Sequence, residues 1–445
     1  MHRHLLLTVY ERKYIMLINS WDHFIRQSKN RTVEGISILI FAIFFVISLL
    51  QVNSFHLDET LFHYPNALNF YENGFNALFN ELYSSANTPL PYIMVAIAAK
   101  LTGLSLILAR IITGLVSLCA FLIGIHLLKK HGADQYCYFV LLFYPYFFTH
   151  SFVFYAINFG LFFALLGLFI LDDKENSLWA NFLAGACFSL AVLCQQFYLM
   201  LPAAIALTYL ITALRAQDGK DGKLGGRLLK TLYLSAILFL PLLAPAWLFL
   251  QWQGLTHPNF NMHSLALTPY NVTAIFALLG FYFFAPYQWQ LRYKISLPQW
   301  IICAAAAILL VMFYQPEFTD LVQAPGKFTG ITFRIISLPA KISPWLTSIG
   351  MFILTSCGLL FYTTVWRNVS SLWDLRLFTI CTFLIIAYSF NTQIGERHLL
   401  ALIIFLFLLA LPKIRKPVSI VYAGIMAILG VGYFIYWTYF KYGGA

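Results

Sequence analysis

The sequence predicts an all-α, polytopic integral membrane protein with about 13 transmembrane helices. Three observations carry that expectation. Hydrophobic residues make up 60% of the 445 positions and charged residues only 10%, where a soluble domain needs roughly a quarter charged residues to solvate its surface. The mean hydropathy of +0.76 is spread over apolar runs that recur from residue 35 to residue 437. Short basic segments sit beside those runs, as cytoplasmic loops do.

The same pattern explains the net charge of +11. Bases concentrated next to apolar runs point to membrane orientation rather than to nucleic acid. Six bases precede Gly35, so residues 1–34 are expected in the cytoplasm. Gly35 to Val52 reads as an uncleaved first span, because no small-residue cleavage site follows it. One transmembrane domain is expected over 35–437, with a tail at 438–445. The seven cysteines lie in or beside apolar stretches without CxxC spacing and read as small packing residues.

Candidate spans are 35–52, 89–128, 135–149, 151–171, 178–194, 197–214, 231–250, 272–286, 300–314, 345–365, 374–390, 398–412 and 417–437. The segment 89–128 is too long for one helix and is interrupted by Lys100, Gly103 and Arg110. Counted as one net crossing, with 89–104 dipping into or packing on the membrane, it sends every basic loop inward. Those loops include Lys129–Lys130, the cluster from Arg215 to Lys230, Arg292/Lys294 and Lys413–Lys416. The opposite, non-cytoplasmic face then receives 53–88, the tip near His150, Gln195–Tyr198, 251–271, 315–344 and 391–397, and the functional site is expected there.

The loop 53–88 is distinctive. It holds Asp58, Glu59, Glu72 and Glu81, four of the 17 carboxylates, and none of the 28 Lys and Arg. Leu57, Leu61, Tyr64, Leu68 and Tyr71, then Phe75, Leu78, Phe79 and Leu82, recur at helical spacing and predict two amphipathic helices on the membrane surface. Gly74 is placed to end the first, and Pro65 to bend or restart it. Asp58 and Glu59 open that helix. Asp58 reads either as an N-cap or as a general base held at the membrane surface, and one carboxylate can serve both roles.

A first span, then Asp58-Glu59, Phe62-His63, Pro65, and a closing Thr88-Pro89 resembles the GT-C superfamily of polyprenyl-phosphate-sugar-dependent glycosyltransferases. Within it the run is most similar to the dolichyl-phosphate-glucose α-1,2-glucosyltransferase family, with one residue inserted before Phe62. Tyr144-Pro145, Phe147-Phe148 and Phe154-Tyr155 are similar to the family's next outward turn, where its Thr-Asp is replaced by Ala156-Ile157 with Asn158 nearby. The family's Arg-Gln-Thr-Asn motif has only Cys194-Gln195-Gln196 as its counterpart. Glu396-Arg397-His398 resembles an Asn-Arg-His motif.

The resemblance implies a GT-C-like fold and an inverting transfer of a hexose from a polyprenyl-phosphate sugar to an acceptor hydroxyl on a glycan, lipid or protein. Asp58 or Glu59 would take the acceptor proton. His63, Thr88, Tyr155, Asn158, Gln195, Gln196, Glu396, Arg397 and His398 would bind substrate, with Arg397 suited to a phosphate by its forked donors. No cofactor, metal or nucleic-acid partner is expected: His257 and His263 read as interfacial residues, no Asp-x-Asp motif occurs, and no Gly-rich nucleotide segment is present. A bacterial inner membrane is the expected location, or the endoplasmic reticulum in a eukaryote. Two other classes stay open. A transporter or flippase would use ionisable residues inside spans, of which Lys100 and Arg110 are candidates. A polysaccharide polymerase or ligase would use the late outward loop 315–344, with Glu317, Asp320, Lys327, Arg334 and Lys341.

Overall fold

The computed structural model describes residues 32–50, 58–83, 85–215, 224–259, 267–288, 295–315, 317–318, 327–328, 330–338, 343–390 and 396–437. Most of the N-terminal segment, the tail 438–445, His263, Asp320 and Lys341 lie outside them. The described residues are almost entirely helical. Nine of their helices are long and apolar enough to cross a membrane: Thr32–Leu50, Leu106–Lys130, Gln196–Arg215, Leu224–Trp252, Pro269–Gln288, Leu297–Tyr314, Trp345–Arg367, Leu372–Ser389 and Lys416–Ile435. The protein is therefore an integral membrane protein. The strand pairing among the described residues is a two-residue parallel pair, Glu317↔Lys327 and Phe318↔Phe328.

The long segment 89–128 is split by its own glycine. Helix Leu90–Thr102 stops at Gly103, whose φ of 84° suits a residue without Cβ. Ser105 then caps the next helix through its side chain, which accepts from the Leu108 N–H at 3.1 Å. Thirteen residues reach only about 20 Å, short of a hydrocarbon core of about 30 Å, so Leu90–Thr102 is a short apolar helix packed against the first-loop helix. The expected span 135–149 is likewise interrupted. Pro145 holds Tyr144 in an extended conformation (φ −57°, ψ 120°) and divides the run into Cys137–Leu142 and Pro145–His150.

The first loop carries one continuous helix where the spacing predicts a bend. A π-helical turn, Glu59–His63, runs directly into Tyr64–Asn73, and its wider winding accommodates Pro65 in the first turn of the α-helix. Gly74 ends it with φ 56°. The second predicted helix is a 3₁₀ segment, Gly74–Leu78, folded back by paired amides of Asn69 and Asn80 at 2.7 and 2.9 Å. Leu61, Phe75, Phe79 and Leu82 are exposed, the apolar face expected of a segment resting on a membrane surface.

At the centre lies helix Leu400–Ala410, apolar all round and buried at every position, which is the environment such a helix requires. The segment Pro269–Phe284 meets helix Pro344–Arg367 backbone to backbone. A Cβ on Gly280 would overlap the Leu354 carbonyl, and one on Gly358 the Phe276 carbonyl, so small residues set this approach.

Charged side chains gather at two poles. Arg110 and Lys130 stand on one helix, 20 residues and about 30 Å apart, the thickness of a hydrocarbon core. Near Lys130, Asp172 is bonded by Lys130 at 2.6 Å and His131 at 3.1 Å, His131 stacks on Trp373, and Arg376 pairs with Glu175 at 2.7 Å. Near Arg110 lie Asp58, Glu59 and Arg397. If basic loops face the cytoplasm, as the charge bias leads one to expect, the Lys130 pole lies there. With cysteines introduced at exposed Glu81 and Asn176, a membrane-impermeant thiol reagent should label position 81 on intact cells and position 176 only after permeabilisation. The reverse labelling would invert the assignment.

Candidate active site

The π-turn that opens the first-loop helix aims two adjacent carboxylates in different directions. Glu59 points inward and is completely buried. It accepts from Arg110 Nε at 3.0 Å and Nη2 at 2.6 Å, and from the Phe154 N–H at 2.7 Å. Arg110, itself buried, also donates to the Ser48 carbonyl at 3.3 Å. Asp58 makes no side-chain capping bond to its helix. Its carboxylate instead pairs with Arg397, 339 residues later in the chain. Side-chain exposure is 18% for Asp58 and 28% for Arg397, against 0% and 2% for Glu59 and Arg110. Of these two pairs, Asp58–Arg397 is the one partly exposed to solvent.

An aromatic and imidazole shell surrounds that pair. The Arg397 guanidinium lies 5.7 Å from the Tyr155 ring centre, a cation–π arrangement. Tyr155 packs edge-on to His63 and against His150, both at 4.5 Å between ring centres. His63 Nδ1 meets the Tyr92 hydroxyl at 3.0 Å, which in turn meets Ser85 Oγ at 2.7 Å. Burial lowers the His63 pKa to about 4 against the attraction of Asp58, and lowers that of His150 to about 3 against its bond to the Tyr146 carbonyl. Both imidazoles are therefore neutral at pH 7, and the cation beside Asp58 is Arg397. The Arg397 Nε–H, itself buried, has no acceptor among the described residues.

Glu396 turns the other way from Arg397. It is fully buried and accepts from Tyr282 Oη at 2.7 Å, Tyr146 Oη at 3.3 Å, and Thr332 N and Oγ1 at 3.0 and 2.7 Å. The late loop 315–344 thus enters the site through Thr332. It needs glycine at the preceding turn, since a Cβ on Gly330 would overlap the Glu396 carboxylate. Gly330→Ala should cost about 1–3 kcal/mol of stability, as overpacking does, read by thermal unfolding in detergent. Burial outweighs the four donors and raises the Glu396 pKa to about 7. The native fold therefore favours the protonated acid; its contribution is complete below the ordinary carboxylate pKa and is lost as pH rises through about 7. Wild-type thermal stability should fall between pH 5 and 8.5, and Glu396→Gln should remove that part of the pH dependence.

Several residues expected to bind substrate join segments of the protein through hydrogen bonds of their own. Thr88 Oγ1 donates to the Val192 carbonyl at 2.6 Å, Gln195 Nε2 to Asn87 Oδ1 at 3.1 Å and Gln196 Nε2 to the Ala86 carbonyl at 2.8 Å. These bonds join the end of the first loop to the 192–196 turn. Asn158 is buried and donates to Ser117 Oγ at 2.8 Å, while its Oδ1 and Gln195 Oε1 have no partner among the described residues. Glu396 has its bonds within the protein, and His398 stands half-buried just after Arg397. The expected set thus divides. Asp58, His63, Tyr155 and Arg397 converge on one partly open place, and His150, Tyr146, Tyr282 and Thr332 join their surroundings without having been expected there. Only a motif turn marks His150 in the sequence, and nothing distinguishes the other three from ordinary membrane-helix hydroxyls.

Lys100 donates to the Tyr71 carbonyl at 2.5 Å and lies over the Tyr71 ring at 4.4 Å. Lys100 and Arg110 are therefore both tied to the first loop. Arg334 of the late loop bonds Tyr436 Oη. His257 is buried between Tyr83 and Trp252, at 5.1 and 5.4 Å between ring centres. Among the described residues no group of three or more His, Cys, Asp or Glu is arranged to hold a metal. No protein-family model, curated protein or solved structure matches the chain.

Proposed function

We propose that the protein is a GT-C-type glycosyltransferase that moves a hexose from a polyprenyl-phosphate sugar to an acceptor hydroxyl at the non-cytoplasmic face, within a bundle of about 13 crossings. The observation that carries this reading is the partly exposed Asp58–Arg397 pair, formed between the first outward loop and the mouth of a late helix. Its chemistry fits an in-line displacement. Asp58 takes the proton of the acceptor hydroxyl, whose oxygen attacks the anomeric carbon. The bond from that carbon to the phosphate oxygen breaks, the electron pair leaves with the polyprenyl phosphate, and Arg397 meets the phosphate charge. One displacement inverts the anomeric configuration. Tyr155 and the neutral His63 and His150 supply a wall of rings beside the reacting sugar.

The carrier is undecaprenyl phosphate in a bacterial inner membrane, or dolichyl phosphate in the endoplasmic reticulum. The acceptor is a lipid-linked glycan or another envelope glycan, lipid or protein. Cells with and without the protein should yield lipid-linked or envelope glycans differing by the mass of one hexose. Purified protein given a polyprenyl-phosphate hexose should transfer it in the presence of EDTA. Identical glycan masses from both cell types, together with no transfer in vitro, would overturn the reading.

A further inference from the structure

We infer that Glu59 and Arg110 form the positioning pair of this site, holding Asp58 and Tyr155 in register with Arg397. The inference rests on the proposed transfer for its kinetic consequences and on geometry alone for its structural ones. A buried ion pair is a weak source of net stability, because apolar side chains of similar volume often do as well. Its forked geometry nevertheless fixes distance and angle together. Here the two Arg110 nitrogens on the Glu59 oxygens lock the start of the first-loop helix to helix Leu106–Lys130. Arg110 extends the lock to the first span at the Ser48 carbonyl, and Glu59 extends it to the turn before Ile157 at the Phe154 N–H.

Each arm ends one residue from the site. Asp58 precedes Glu59, and Tyr155 follows Phe154. Successive helical side chains diverge by roughly a quarter turn, about 100° in an α-helix and less in the wider π-turn, so turning Glu59 into the interior swings Asp58 sideways, where it meets Arg397. The bond to the Phe154 N–H fixes the backbone that presents the Tyr155 ring to Arg397 and His63. Glu59 has no exposed surface and three internal donors, so it acts through its neighbours rather than on substrate.

The test compares wild type, Glu59→Gln, Asp58→Asn and the double variant, with steady-state kinetics and hydrogen–deuterium exchange on detergent-purified protein. Glu59→Gln should lower kcat about 100-fold, the scale of an ångström misplacement, with donor KM within about threefold of wild type. Exchange in peptides covering 58–63 and 151–157 should rise about tenfold. Adding Glu59→Gln to Asp58→Asn should lower kcat by much less than the product of the two single losses, since the first acts largely through the second. Should the stranded Arg110 prevent Glu59→Gln from folding, the Glu59→Leu/Arg110→Met pair removes both charges and should fold with the same kinetic and exchange changes. Unchanged exchange at 151–157, or kinetic losses that multiply with Asp58→Asn, would overturn the inference. A wild-type protein without transfer activity would defeat the proposed function, and the exchange result would then judge the positioning pair by itself.

Discussion

Replacing Asp58 by Asn should lower turnover at saturating donor and acceptor by about 10²–10⁴-fold, the usual contribution of general-base catalysis, while the protein folds normally. A helix cap and a base predict different outcomes here, because Asn caps about as well as Asp but an amide cannot take a proton. The Asp58 side chain also makes no capping hydrogen bond to its helix. What the substitution removes is the negative partner of Arg397. That pair is partly solvated, and such pairs contribute about 0–1 kcal/mol, so the melting temperature should move little. Turnover and thermal stability measured on the same preparation decide the matter. A folded Asp58→Asn protein that keeps more than about a tenth of wild-type turnover, less loss than a general base causes, would remove Asp58 from the chemistry.

The sequence made some of this arrangement legible and hid the rest for physical reasons. Gly103 and Gly74 end helices where expected, because a residue without Cβ tolerates the positive φ that a helix end needs. The meeting of Asp58 with Arg397 was foreshadowed by charge: an acidic, base-free loop and a loop with one base fall on the same side once basic loops are sent inward. The difference between Asp58 and Glu59 was not legible. Adjacent carboxylates look alike until the direction of the helix is known, and the signal available was Arg110, an isolated charge in an apolar helix that needs a partner. Thr88, Gln195 and Gln196 sit at motif positions yet spend their polar groups on carbonyl and amide partners more than 100 residues away, which spacing cannot reveal. Pro65 predicts a bend, but a π-turn absorbed it. Tyr282 and Thr332 enclose Glu396 from segments far apart in the chain, and single hydroxyls among apolar neighbours carry no periodic signal.

Arg397→Gln should lower kcat/KM for the polyprenyl-phosphate sugar by about 10²–10³-fold, within the 2–5 kcal/mol that removal of a hydrogen-bonded charge from its partner costs. Arg397→Lys should recover part of that loss, because it restores the charge but not the fork that matches a phosphate. The sharper expectation concerns binding of the carrier phosphate alone, measured by native mass spectrometry of the protein with undecaprenyl phosphate or dolichyl phosphate. Arg397 is now paired with Asp58 and has an Nε–H without an acceptor among the described residues. On the proposed reaction, an arriving phosphate would compete with Asp58 for the guanidinium and so free the carboxylate to accept a proton. Asp58→Asn should therefore bind the carrier phosphate as tightly as wild type or more so, because it removes the competitor. Arg397→Gln should bind it more weakly, because it removes the donor. Opposite shifts from two members of one ion pair are not what a structural clasp produces, since breaking a clasp from either side loosens the same contact. Equal weakening in both variants would show that the pair only holds the first loop in place, and the phosphate would then have to be sought at another cation.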